Sequence, residues 1–523
     1  MRLSKLVADA GLSAGTADRG SGADPEITGL SYDSRDIPAG SVFFALPGHN
    51  EHGAAYAGQA ARSGAAVIVT DERGARLLDD SGHYEQADHG GSAAPVLVVD
   101  SPRASMAAMA AAFYGFPAAA MTMVGVTGTN GKTSVTYLVQ AALQAAGRPC
   151  GIVGTLGTYF PGFPGSPGGG THPHPRTTPE APDLQRTLAE LQRDGAQAVA
   201  MEVSSIAVCE NRIDGIDFDV MGFTGLSHDH LDYHGTMDAY FDAKARMFAP
   251  GRCRAGVVVV DEPWGQRLAE QAAVPLTTVS TQPDIDATWR ARRTESGVRI
   301  EGPESATLAI GIPAGFAITN AALAIAIAHS LEVPAQLAAD ALRAASVPGR
   351  MESVASVDSR EFLVDYAHTP DAIDRVVQAA IEMRASRSEA AAGPGRIVVV
   401  LGAGGDRDSA KRSAMGRAAS QADLVIVTDD NPRTEDPAQI RAAVRRGAES
   451  GPAEVWEIAP REEAIARAVQ EAGPGDIVLV LGKGHEATQE VQGRVVAFDD
   501  RAVLASFIRQ RFGVAGGGRG DGA

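Results

Sequence analysis

The stretch MTMVGVTGTNGKTS (residues 121–134) decides the predicted fold of the central part of the chain. Its apolar first half predicts a buried strand, and the glycine-rich turn leads into a helical pattern with Val135, Val139 and Leu143 on one face. The backbone N–H groups of such a turn and of a helix N-terminus can surround phosphate oxygens. In this position Lys132 would reach the β- and γ-phosphates of a nucleotide, and the Thr133 hydroxyl would bind Mg²⁺.

The loop departs at one position from the pattern G-x-x-x-x-G-K-[ST], because Val126 stands where the first glycine belongs. The alternative is a glycine-rich turn without a ligand, but the Lys-Thr pair and the flanking elements favour a phosphate loop. A second apolar run, AVAMEV (198–203), predicts another buried strand. Strand, loop, helix and strand together predict a parallel α/β sheet.

The apolar runs elsewhere in the chain predict two further domains. IVVVL (397–401), LVIVT (424–428) and IVLVL (477–481) alternate with helical segments, which predicts a Rossmann-like, doubly wound sheet. Shorter runs lie at 42–46, 65–69 and 96–99. We therefore predict a three-domain α/β protein with an N-terminal domain (1–116), a central P-loop-type ATPase domain with a parallel sheet (117–348), a C-terminal domain (349–513) and a disordered tail (514–523).

The composition excludes several classes of protein. The 523 residues contain 46 Lys and Arg against 64 Asp and Glu, a formal net charge of −18. This acidity disfavours non-specific binding to nucleic acid or to an anionic membrane. The three cysteines are far apart, so no disulfide or zinc pattern exists. No apolar run is long enough for a membrane helix, and the N-terminus lacks a signal peptide. We expect a cytoplasmic protein.

Carboxylates and imidazoles mark a candidate metal site. Glu202 ends the second buried strand, at the sheet edge where α/β proteins bind ligands. The segment LSHDHLDYHG (226–235) packs three histidines and two aspartates together, which suggests a metal. We assign His230 to metal, and His228 and His234 to hydrogen bonds. The spacing also resembles the H-x-H-x-D-H motif of metal-dependent hydrolases, but Tyr233 stands where its last histidine belongs.

Lys244 and three motifs of the C-terminal region are further polar candidates. Lys244 lies on a predicted helix, where a lysine is usually a solvated surface charge. In GAGGDRD (402–408), Arg407 replaces the last glycine of a dinucleotide fingerprint and excludes that motif. DDNPRTEDP (429–437) reads as a turn, but its Arg433 could bind a carboxylate with two parallel hydrogen bonds. Like the two preceding motifs, GKGHE (482–486) directly follows a predicted strand.

Taken together, these motifs resemble those of the Mur ligase family, in the same order along nearly the whole chain. The phosphate loop alone would indicate only the wider family, which includes folylpolyglutamate synthases. The N-terminal motifs, DYAHTPDA and DNPR narrow the resemblance to the ligases that add the third amino acid of the peptidoglycan peptide. The matching segments are YDSR (32–35), LPGHNEHG (46–53), VGVTGTNGKTS (124–134), RTTPEAPDLQ (176–185), MEVSS (201–205), LSHDHLDYHG, AKARMF (243–248), PGRMESV (348–354), VDYAHTPDAI (364–373), GGDRDSAKR (404–412), DNPRTEDP (430–437) and GKGHE.

The resemblance implies a reaction and its substrates. The three domains would bind UDP-MurNAc, ATP and the incoming amino acid. The D-Glu carboxylate of UDP-MurNAc-L-Ala-D-Glu would attack the γ-phosphate of ATP. An amine of meso-diaminopimelate would then displace phosphate from the acyl phosphate. We expect a monomer that uses ATP and Mg²⁺ in cell-wall synthesis, with no nucleic-acid partner and no membrane insertion.

The resemblance also implies four sets of site residues. Those for catalysis and magnesium are Lys132, Thr133, Glu202, His230 and Lys244, the last carbamylated by CO₂. Those for ATP are Gly128, Thr129, Asn130, Gly131, Lys132, Thr133, Ser134, Asn320, Arg350, Asp365 and His368. Those for the UDP-MurNAc-peptide are Tyr32, Ser34, His49, Asn50, Glu51, Thr177, Thr178, Ser204, Glu210 and Arg212. Those for diaminopimelate are Arg407, Asp430, Asn431, Pro432, Arg433, Gly482 and Glu486.

Four alternatives remain open from the sequence. The third amino acid could be L-lysine or another diamine. The acceptor could be a folate, as in folylpolyglutamate synthases. The histidine cluster could serve a metal-dependent hydrolase that needs no ATP, but this leaves Lys132 unexplained. Ile206 and Gly225 depart from the family pattern, so a non-catalytic ATP-binding scaffold is the fourth reading.

Overall fold

The fold comes from a computed structural model and consists of two compact units. The first comprises Met1–Lys132, Val139–Thr278 and Ile327–Val333, and the second comprises Thr133–Leu138, Val279–Ala326 and Pro334–Ala523. The structure describes residues 1–12, 17–19, 24–48, 51–80, 94–161, 170–172, 174, 176–294, 297–308, 315–385, 395–406 and 408–513. The predicted tail (514–523) lies outside these ranges. Within them, no helix combines the length and apolar composition of a membrane span.

The N-terminal part of the first unit is a five-stranded sheet with helices. Its strands are β1 (Ala17–Arg19), β2 (Gly29–Ser31), β3 (Ser41–Phe44), β4 (Val67–Thr70) and β5 (Val96–Val98), and its helices are α1 (Leu3–Asp9), α2 (Ala57–Arg62), α3 (Glu72–Asp80) and α4 (Pro102–Phe113). The strand order is β1-β5-β4-β3-β2, and only β1 is antiparallel to its neighbour. Phe43 and Phe44 are both buried, as expected of a strand covered on both faces.

The central part of the first unit is a larger, mostly parallel sheet. Its strands are β6 (Thr122–Thr127), β7 (Cys150–Gly154), β8 (Gly157–Phe160), β9 (Gly170–His172), β10 (Ala198–Glu202), β11 (Phe218–Phe223), β12 (Cys253–Val259) and β13 (Leu276–Ser280). Its helices are α6 (Ala181–Arg193), α7 (Ser205–Cys209), α8 (Leu231–His234), α9 (Met237–Ala245) and α10 (Pro263–Gln271). Helix α5 (Lys132–Ala145) follows β6, and its residues Thr133–Leu138 belong to the second unit. The order is β13-β12-β11-β6-β10-β7-β8-β9. Strand β6, predicted from the phosphate-loop stretch, lies between β11 and β10 and is parallel to both.

The second unit contains an antiparallel group, a six-stranded sheet and a hairpin. Its strands are β14 (Trp289–Thr294), β15 (Gly297–Glu301), β16 (Ser305–Leu308), β17 (Glu352–Val357), β18 (Arg360–Asp365), β19 (Ile397–Leu401), β20 (Leu424–Val427), β21 (Glu454–Glu457), β22 (Ile477–Leu481), β23 (Thr488–Val491) and β24 (Arg494–Ala497). Its helices are α11 (Gly315–Ser330), α12 (Ala335–Leu342), α13 (Pro370–Ala385), α14 (Lys411–Ala419), α15 (Pro437–Ala448), α16 (Arg461–Glu471) and α17 (Asp500–Phe512).

The six-stranded sheet confirms the predicted Rossmann-like region. The predicted runs at 397–401 and 477–481 are strands β19 and β22 to the residue, and β20 ends one residue before the predicted run. The order is β17-β18-β22-β19-β20-β21, and all pairs from β18 to β21 are parallel. The carboxyl ends of these five strands therefore lie on one edge, where such sheets bind ligands.

A buried ion pair joins two helices to this sheet. Arg461, the first residue of α16, donates from Nε and Nη2 to the two carboxylate oxygens of Asp500, the first residue of α17, at 2.7 Å each. Its Nη2 also donates to the Leu481 carbonyl at the end of β22, at 2.9 Å. Both side chains are fully buried. The guanidinium therefore ties two helix starts to a strand end close to the candidate site.

We predict that Arg461→Met destabilises the second unit by about 3–5 kcal/mol, because it leaves the Asp500 carboxylate buried without its partner. The measurement is urea denaturation of the full chain followed by circular dichroism. The matched control is Arg467→Met on the same helix, whose exposed pair with Glu471 should contribute less than about 1 kcal/mol. Equal denaturation midpoints for the two variants would contradict the structural role of the pair.

Candidate active site

The phosphate loop after β6 has a backbone that requires glycine. Gly128 has φ +141°, and a Cβ added there would collide with the Thr224 hydroxyl and lie 2.9 Å from the Gly225 carbonyl. Thr224 Oγ1 donates to the Asn130 carbonyl at 2.5 Å, and the Ser227 backbone N–H donates to Thr129 Oγ1 at 2.9 Å. The loop is therefore held in a closed turn against the segment that follows β11.

Two lysines point at the same carbonyl oxygen of this loop. Lys132 Nζ donates to the Gly128 carbonyl at 3.0 Å and to the Thr129 carbonyl at 2.8 Å. Lys244 Nζ, from α9, donates to the same Gly128 carbonyl at 2.9 Å. The Lys132 ammonium beside this glycine-rich turn places local positive charge in a protein of net charge −18, and this suits phosphate oxygens.

Lys244 is buried, so the reading of this residue as a solvated surface charge is wrong. Helix α9 packs it beneath the loop, where its Nζ lies 4.6 Å from the centre of the Tyr240 ring. Burial and then the nearby Lys132 ammonium lower the pKa of Lys244 well below its usual value. Loss of the proton gives a neutral amine, the form of lysine that acts as a nucleophile.

Glu202 at the end of β10 is a buried carboxylate. Its Oε1 accepts from the Thr155 backbone N–H at 2.8 Å, and its Oε2 accepts from Thr155 Oγ1 at 3.2 Å. A Cβ on Gly154 would collide with this carboxylate, so the glycine is required for the close approach. Thr155 was not predicted from the sequence, and nothing in its local pattern identifies it.

The histidine-rich segment adopts a short helix, α8, preceded by a strained residue. His230 has φ +51°, and its Nε2 lies 3.5 Å from the Asp229 carboxylate. Desolvation lowers the pKa of His230 against the opposing effect of Asp229, so a neutral imidazole is favoured. His234 shares a hydrogen bond of 2.9 Å with the Ser205 hydroxyl. In the described part of the chain, no group of three or more His, Cys, Asp or Glu is arranged to hold a metal ion.

Residues predicted to bind the muramoyl-peptide gather around the end of β10. Thr178 Oγ1 donates to the Glu202 carbonyl at 2.8 Å and accepts from the Ser204 backbone N–H at 3.1 Å. Thr177 Oγ1 lies 3.1 Å from Thr155 Oγ1, and Arg212 Nη1 donates to the Thr178 carbonyl at 3.4 Å. The sequence-based assignment of these residues stays a prediction, but the structure brings them together.

A buried glutamate that the sequence analysis did not single out links three arginines beside this group. Glu180 Oε1 lies 3.1 Å from Arg212 Nε and 3.6 Å from Arg176 Nη1, and its Oε2 lies 3.4 Å from Arg103 Nη1. Arg103 also pairs with Glu210 at 2.6 Å. Glu180 lies within the RTTPEAPDLQ motif, so the sequence could have identified it as a site residue. Arg103 comes from a distant segment, and only the fold brings it close to Glu180.

The N-terminal residues predicted to bind the uridine nucleotide occupy separate places. Tyr32 donates its hydroxyl proton to the Asp183 carboxylate at 2.6 Å, and burial together with this bond raises the Tyr32 pKa. Both residues line a cavity of about 190 Å³. The Ser34 carbonyl accepts from Gln59, and Glu51 accepts from the Tyr56 hydroxyl. His49 and Asn50 lie outside the described residues.

Arg350, Asp365 and His368, which are predicted to bind ATP, lie just before β17 and at the carboxyl end of β18. Asn320 lies on α11. Arg350 stacks over the Tyr366 ring at 4.6 Å, and its Nη2 lies 3.3 Å from Thr133 Oγ1. Asp365 is buried and accepts from the Met351 and Ala367 backbone N–H groups. Desolvation raises the Asp365 pKa, against these two bonds and the Arg350 charge. His368 contacts the Tyr366 carbonyl at 3.0 Å.

Three loops that follow β19, β20 and β22 converge at the carboxyl edge of the same sheet. The Gly405 backbone N–H donates to the Asn431 carbonyl at 2.8 Å. Arg433 Nη1 donates to the Gly405 carbonyl at 2.6 Å, and Asn431 Nδ2 donates to Glu486 Oε2 at 2.9 Å. The predicted diaminopimelate residues of two separate motifs are therefore in direct contact. Arg407 lies outside the described residues.

Close packing fixes the backbone of these loops. Arg433 itself has φ +52°, and its backbone pairs with the β23 strand through Glu490 and Gln492. Gly482 has φ +113°, and a Cβ there would meet the Asp430 carboxylate at 2.5 Å. A Cβ on Gly405 would collide with the Pro432 carbonyl. Glycines in the neighbouring loops thus leave the space that the Asp430 carboxylate and the Pro432 carbonyl occupy.

The chemistry of the predicted magnesium ligands fits a divalent cation. Glu202 offers a buried carboxylate, and Thr133 offers a hydroxyl at the start of α5. Oxygen donors of this kind suit Mg²⁺ and Mn²⁺, and a neutral imidazole such as that of His230 is the form of histidine that binds a metal. The glycine-rich turn and the start of α5 likewise fit a phosphate group, because both present backbone N–H groups.

Family models match three consecutive parts of the chain. The model described as "Mur ligase family, catalytic domain" matches residues 26–114. "Mur ligase middle domain" matches residues 126–328, and "Mur ligase, glutamate ligase domain" matches residues 349–484. Their order is the order of the three regions predicted from the sequence.

Full-length relatives support the same family. The UDP-N-acetylmuramoyl-L-alanyl-D-glutamate–2,6-diaminopimelate ligase of Streptomyces coelicolor is 42% identical over 501 residues, which cover 93% of this chain and 94% of the relative. The UDP-N-acetylmuramyl-tripeptide synthetase of Leifsonia xyli subsp. xyli is 39% identical over 516 residues, covering 95% and 94% of the two chains.

Solved structures share the fold. A structure of UDP-N-acetylmuramoyl-L-alanyl-D-glutamate–2,6-diaminopimelate ligase superposes with a TM-score of 0.61 at 29% identity, covering 93% of this chain and 95% of the other. A bifunctional folylpolyglutamate synthase/dihydrofolate synthase from Yersinia pestis, solved with AMPPNP and Mn, has a TM-score of 0.53 at 22% identity and covers 72% and 89%. At 22% identity, this similarity supports a shared fold alone.

We predict that Gly128→Ala abolishes ATP binding, because its Cβ collides with Thr224 and forces the loop open. Isothermal titration with a non-hydrolysable ATP analogue measures this. The matched control is Gly147→Ala at the other end of α5, where φ is +73° but no atom lies within 4 Å of the added Cβ. The control carries only the backbone strain and should retain binding. Equal affinities in both variants would show that the close approach at Gly128 is dispensable.

Proposed function

The chain belongs to the Mur ligase family, and we propose that it adds meso-diaminopimelate to UDP-MurNAc-L-Ala-D-Glu with ATP in peptidoglycan precursor synthesis. The observation that carries the proposal is the convergence of Arg433, Asn431 and Glu486 at one sheet edge. Diaminopimelate carries two carboxylates and two ammonium groups. A guanidinium, an amide and a carboxylate are the groups that recognise such a molecule.

Activation of the substrate carboxylate comes first. A D-Glu carboxylate oxygen attacks the γ-phosphorus of ATP, ADP leaves, and an acyl phosphate forms. Two anions must approach each other in this step, so positive charge at the phosphate loop lowers the barrier. Lys132 supplies that charge by exchanging its loop carbonyls for phosphate oxygens. Thr177, Thr178, Ser204 and Arg212 would hold the muramoyl-peptide at the end of β10.

Amide formation follows. The neutral amine of the diamino acid attacks the acyl carbon, the tetrahedral intermediate collapses, and inorganic phosphate leaves while the amine loses its proton. The C-terminal loops would hold the diamino acid in one orientation, which converts a bimolecular encounter into an intramolecular step. Arg433 would pair with the carboxylate that L-lysine lacks, so lysine would not make this ion pair and would be rejected.

A magnesium ion would be held by Thr133, Glu202, His230 and Lys244, the last as a carbamate. The metal would supply Lewis-acid neutralisation of the phosphate oxygens. The burial of Lys244 and its lowered pKa support the carbamate, because a neutral amine can react with CO₂ and release a proton. We also propose that the enzyme acts in the cytoplasm, where ATP and nucleotide-linked precursors are available, and that it is a monomer.

We predict phosphate release from ATP and UDP-MurNAc-L-Ala-D-Glu only when meso-diaminopimelate is added. L-lysine, L-ornithine and diaminobutyrate in parallel wells should give no release above background. Release with another diamine would retain the ligase and contradict the specificity. Release with folate and glutamate would favour a folylpolyglutamate synthase, and silence in every well would favour a non-catalytic scaffold.

Arg433→Ala is the variant that links this assay to the site. It should raise the KM for meso-diaminopimelate while leaving the KM for ATP unchanged. If both constants remained at the wild-type values, the assignment of the DNPR motif would be wrong.

We predict that Lys244→Ala lowers kcat by about 10²-fold or more, because it removes a charged group next to the transferred phosphate. Formate or acetate should restore part of the turnover. A second readout is the ¹³C NMR carbamate signal of the protein in ¹³C-bicarbonate, which the variant should lack. The control is Lys5→Ala, an exposed lysine paired with Asp9. Full activity of Lys244→Ala, or an unchanged carbamate signal, would contradict the proposed role.

A further inference from the structure

Lys483 is a fully buried lysine in the second unit for which the mechanism above has no role. It follows Gly482 directly after β22, within the GKGHE motif. A buried lysine must satisfy three N–H donors, because none of them can reach water. Its surroundings therefore show what its charge stabilises.

The three acceptors of Lys483 lie on two loops. Nζ donates to the Thr488 carbonyl at 2.6 Å, to Glu486 Oε2 at 3.1 Å and to Asn431 Oδ1 at 3.4 Å. Glu486 and Asn431 are two of the residues proposed to bind the diamino acid, and they come from different motifs. Lys483 touches both from the buried side.

The orientation of the Asn431 amide follows from this network. Its Oδ1 accepts from the Glu490 backbone N–H at 2.9 Å, and its Nδ2 donates to Glu486 Oε2 at 2.9 Å. A flipped amide would place Nδ2 against both the Glu490 N–H and the Lys483 ammonium. Lys483 therefore favours one of the two amide orientations.

The same network leaves one side of the Glu486 carboxylate for a ligand. Oε2 accepts hydrogen bonds from Asn431 Nδ2 and Lys483 Nζ, whereas no described residue donates to Oε1. The Glu486 side chain is 32% exposed, and the Lys483 side chain is not exposed at all. Lys483 thus binds Oε2 from the buried side and leaves Oε1 accessible to an ammonium group of the substrate.

We propose that Lys483 is a positioning residue for the diamino acid, which fixes Glu486 and Asn431 without touching the substrate. This inference rests on the proposed function. Without the ammonium, Glu486 and the Thr488 carbonyl lose a charged donor, so Glu486 and the hairpin that begins with β23 are no longer joined to Asn431 from the buried side. The consequence is weaker binding of the diamino acid, with no change in the binding of ATP or of the muramoyl-dipeptide.

The test is steady-state kinetics of Lys483→Met with each substrate varied in turn. The KM for meso-diaminopimelate should rise about ten- to hundredfold, the factor that corresponds to a lost hydrogen bond to a charged group. The KM values for ATP and for UDP-MurNAc-L-Ala-D-Glu should stay within about twofold of wild type. An unchanged KM for meso-diaminopimelate, or an equal rise in all three, would overturn the proposal.

The matched control is Arg360→Met, a buried cation at the opposite edge of the same sheet. Arg360 begins β18, and its Nε donates to the Ala472 carbonyl at 3.1 Å. The control should lower the melting temperature without raising the KM for the diamino acid. A rise in that KM would show that any lost buried cation has this effect, and this would overturn the specific role of Lys483.

Lys483→Ala provides a second variant if Lys483→Met does not fold. Ethylammonium can occupy the space of the missing side chain and should restore the KM for meso-diaminopimelate. Absence of rescue in a folded protein would count against the proposal. Failure of the proposed function is distinguishable, because wild type itself would then show no turnover dependent on meso-diaminopimelate.

Discussion

The parallel alignment of the strands in the two larger sheets is the constraint on which the candidate sites depend. Parallel strands end at one edge, so the loops after β6 and β10 meet at one place in the first unit, and those after β19, β20 and β22 meet in the second. Residues far apart in sequence become neighbours without any local signal, as with Asn431 and Glu486, which are 55 positions apart. Helix starts, glycine turns and strand-end carboxylates at such an edge form the polar sites of α/β proteins.

Charge is concentrated locally against an acidic background. The chain has a net charge of −18, yet Lys132 lies at the phosphate loop and three arginines surround Glu180. Cations that lose part of their water need hydrogen-bonding or ionic partners, because desolvation without them is costly. The buried Glu180 carboxylate and the carbonyls of the phosphate loop hold this positive charge in place.

Short sequence patterns predicted much of the fold. The apolar runs at 397–401 and 477–481 are strands to the residue, because β-branched runs between helices have few alternatives in a buried parallel sheet. The membership in the Mur ligase family that the motifs suggested is confirmed. The edge strands β17 and β21 were not predicted, since half-exposed runs such as EVWE have no distinctive apolar pattern. The assigned roles of the individual site residues stay predictions.

The sequence alone determined the α/β class, the phosphate loop and the motifs that gather at the sheet edges, because these depend on local propensity and on hydrophobic periodicity. Only the tertiary structure decided which side chains lose water. Lys244 and Lys483 look like ordinary surface lysines in the sequence, and both are buried. Thr155 and Arg103 reach their partners through contacts between distant segments. Burial and long-range contact are properties of the packed chain, and no window of sequence contains the groups that create them.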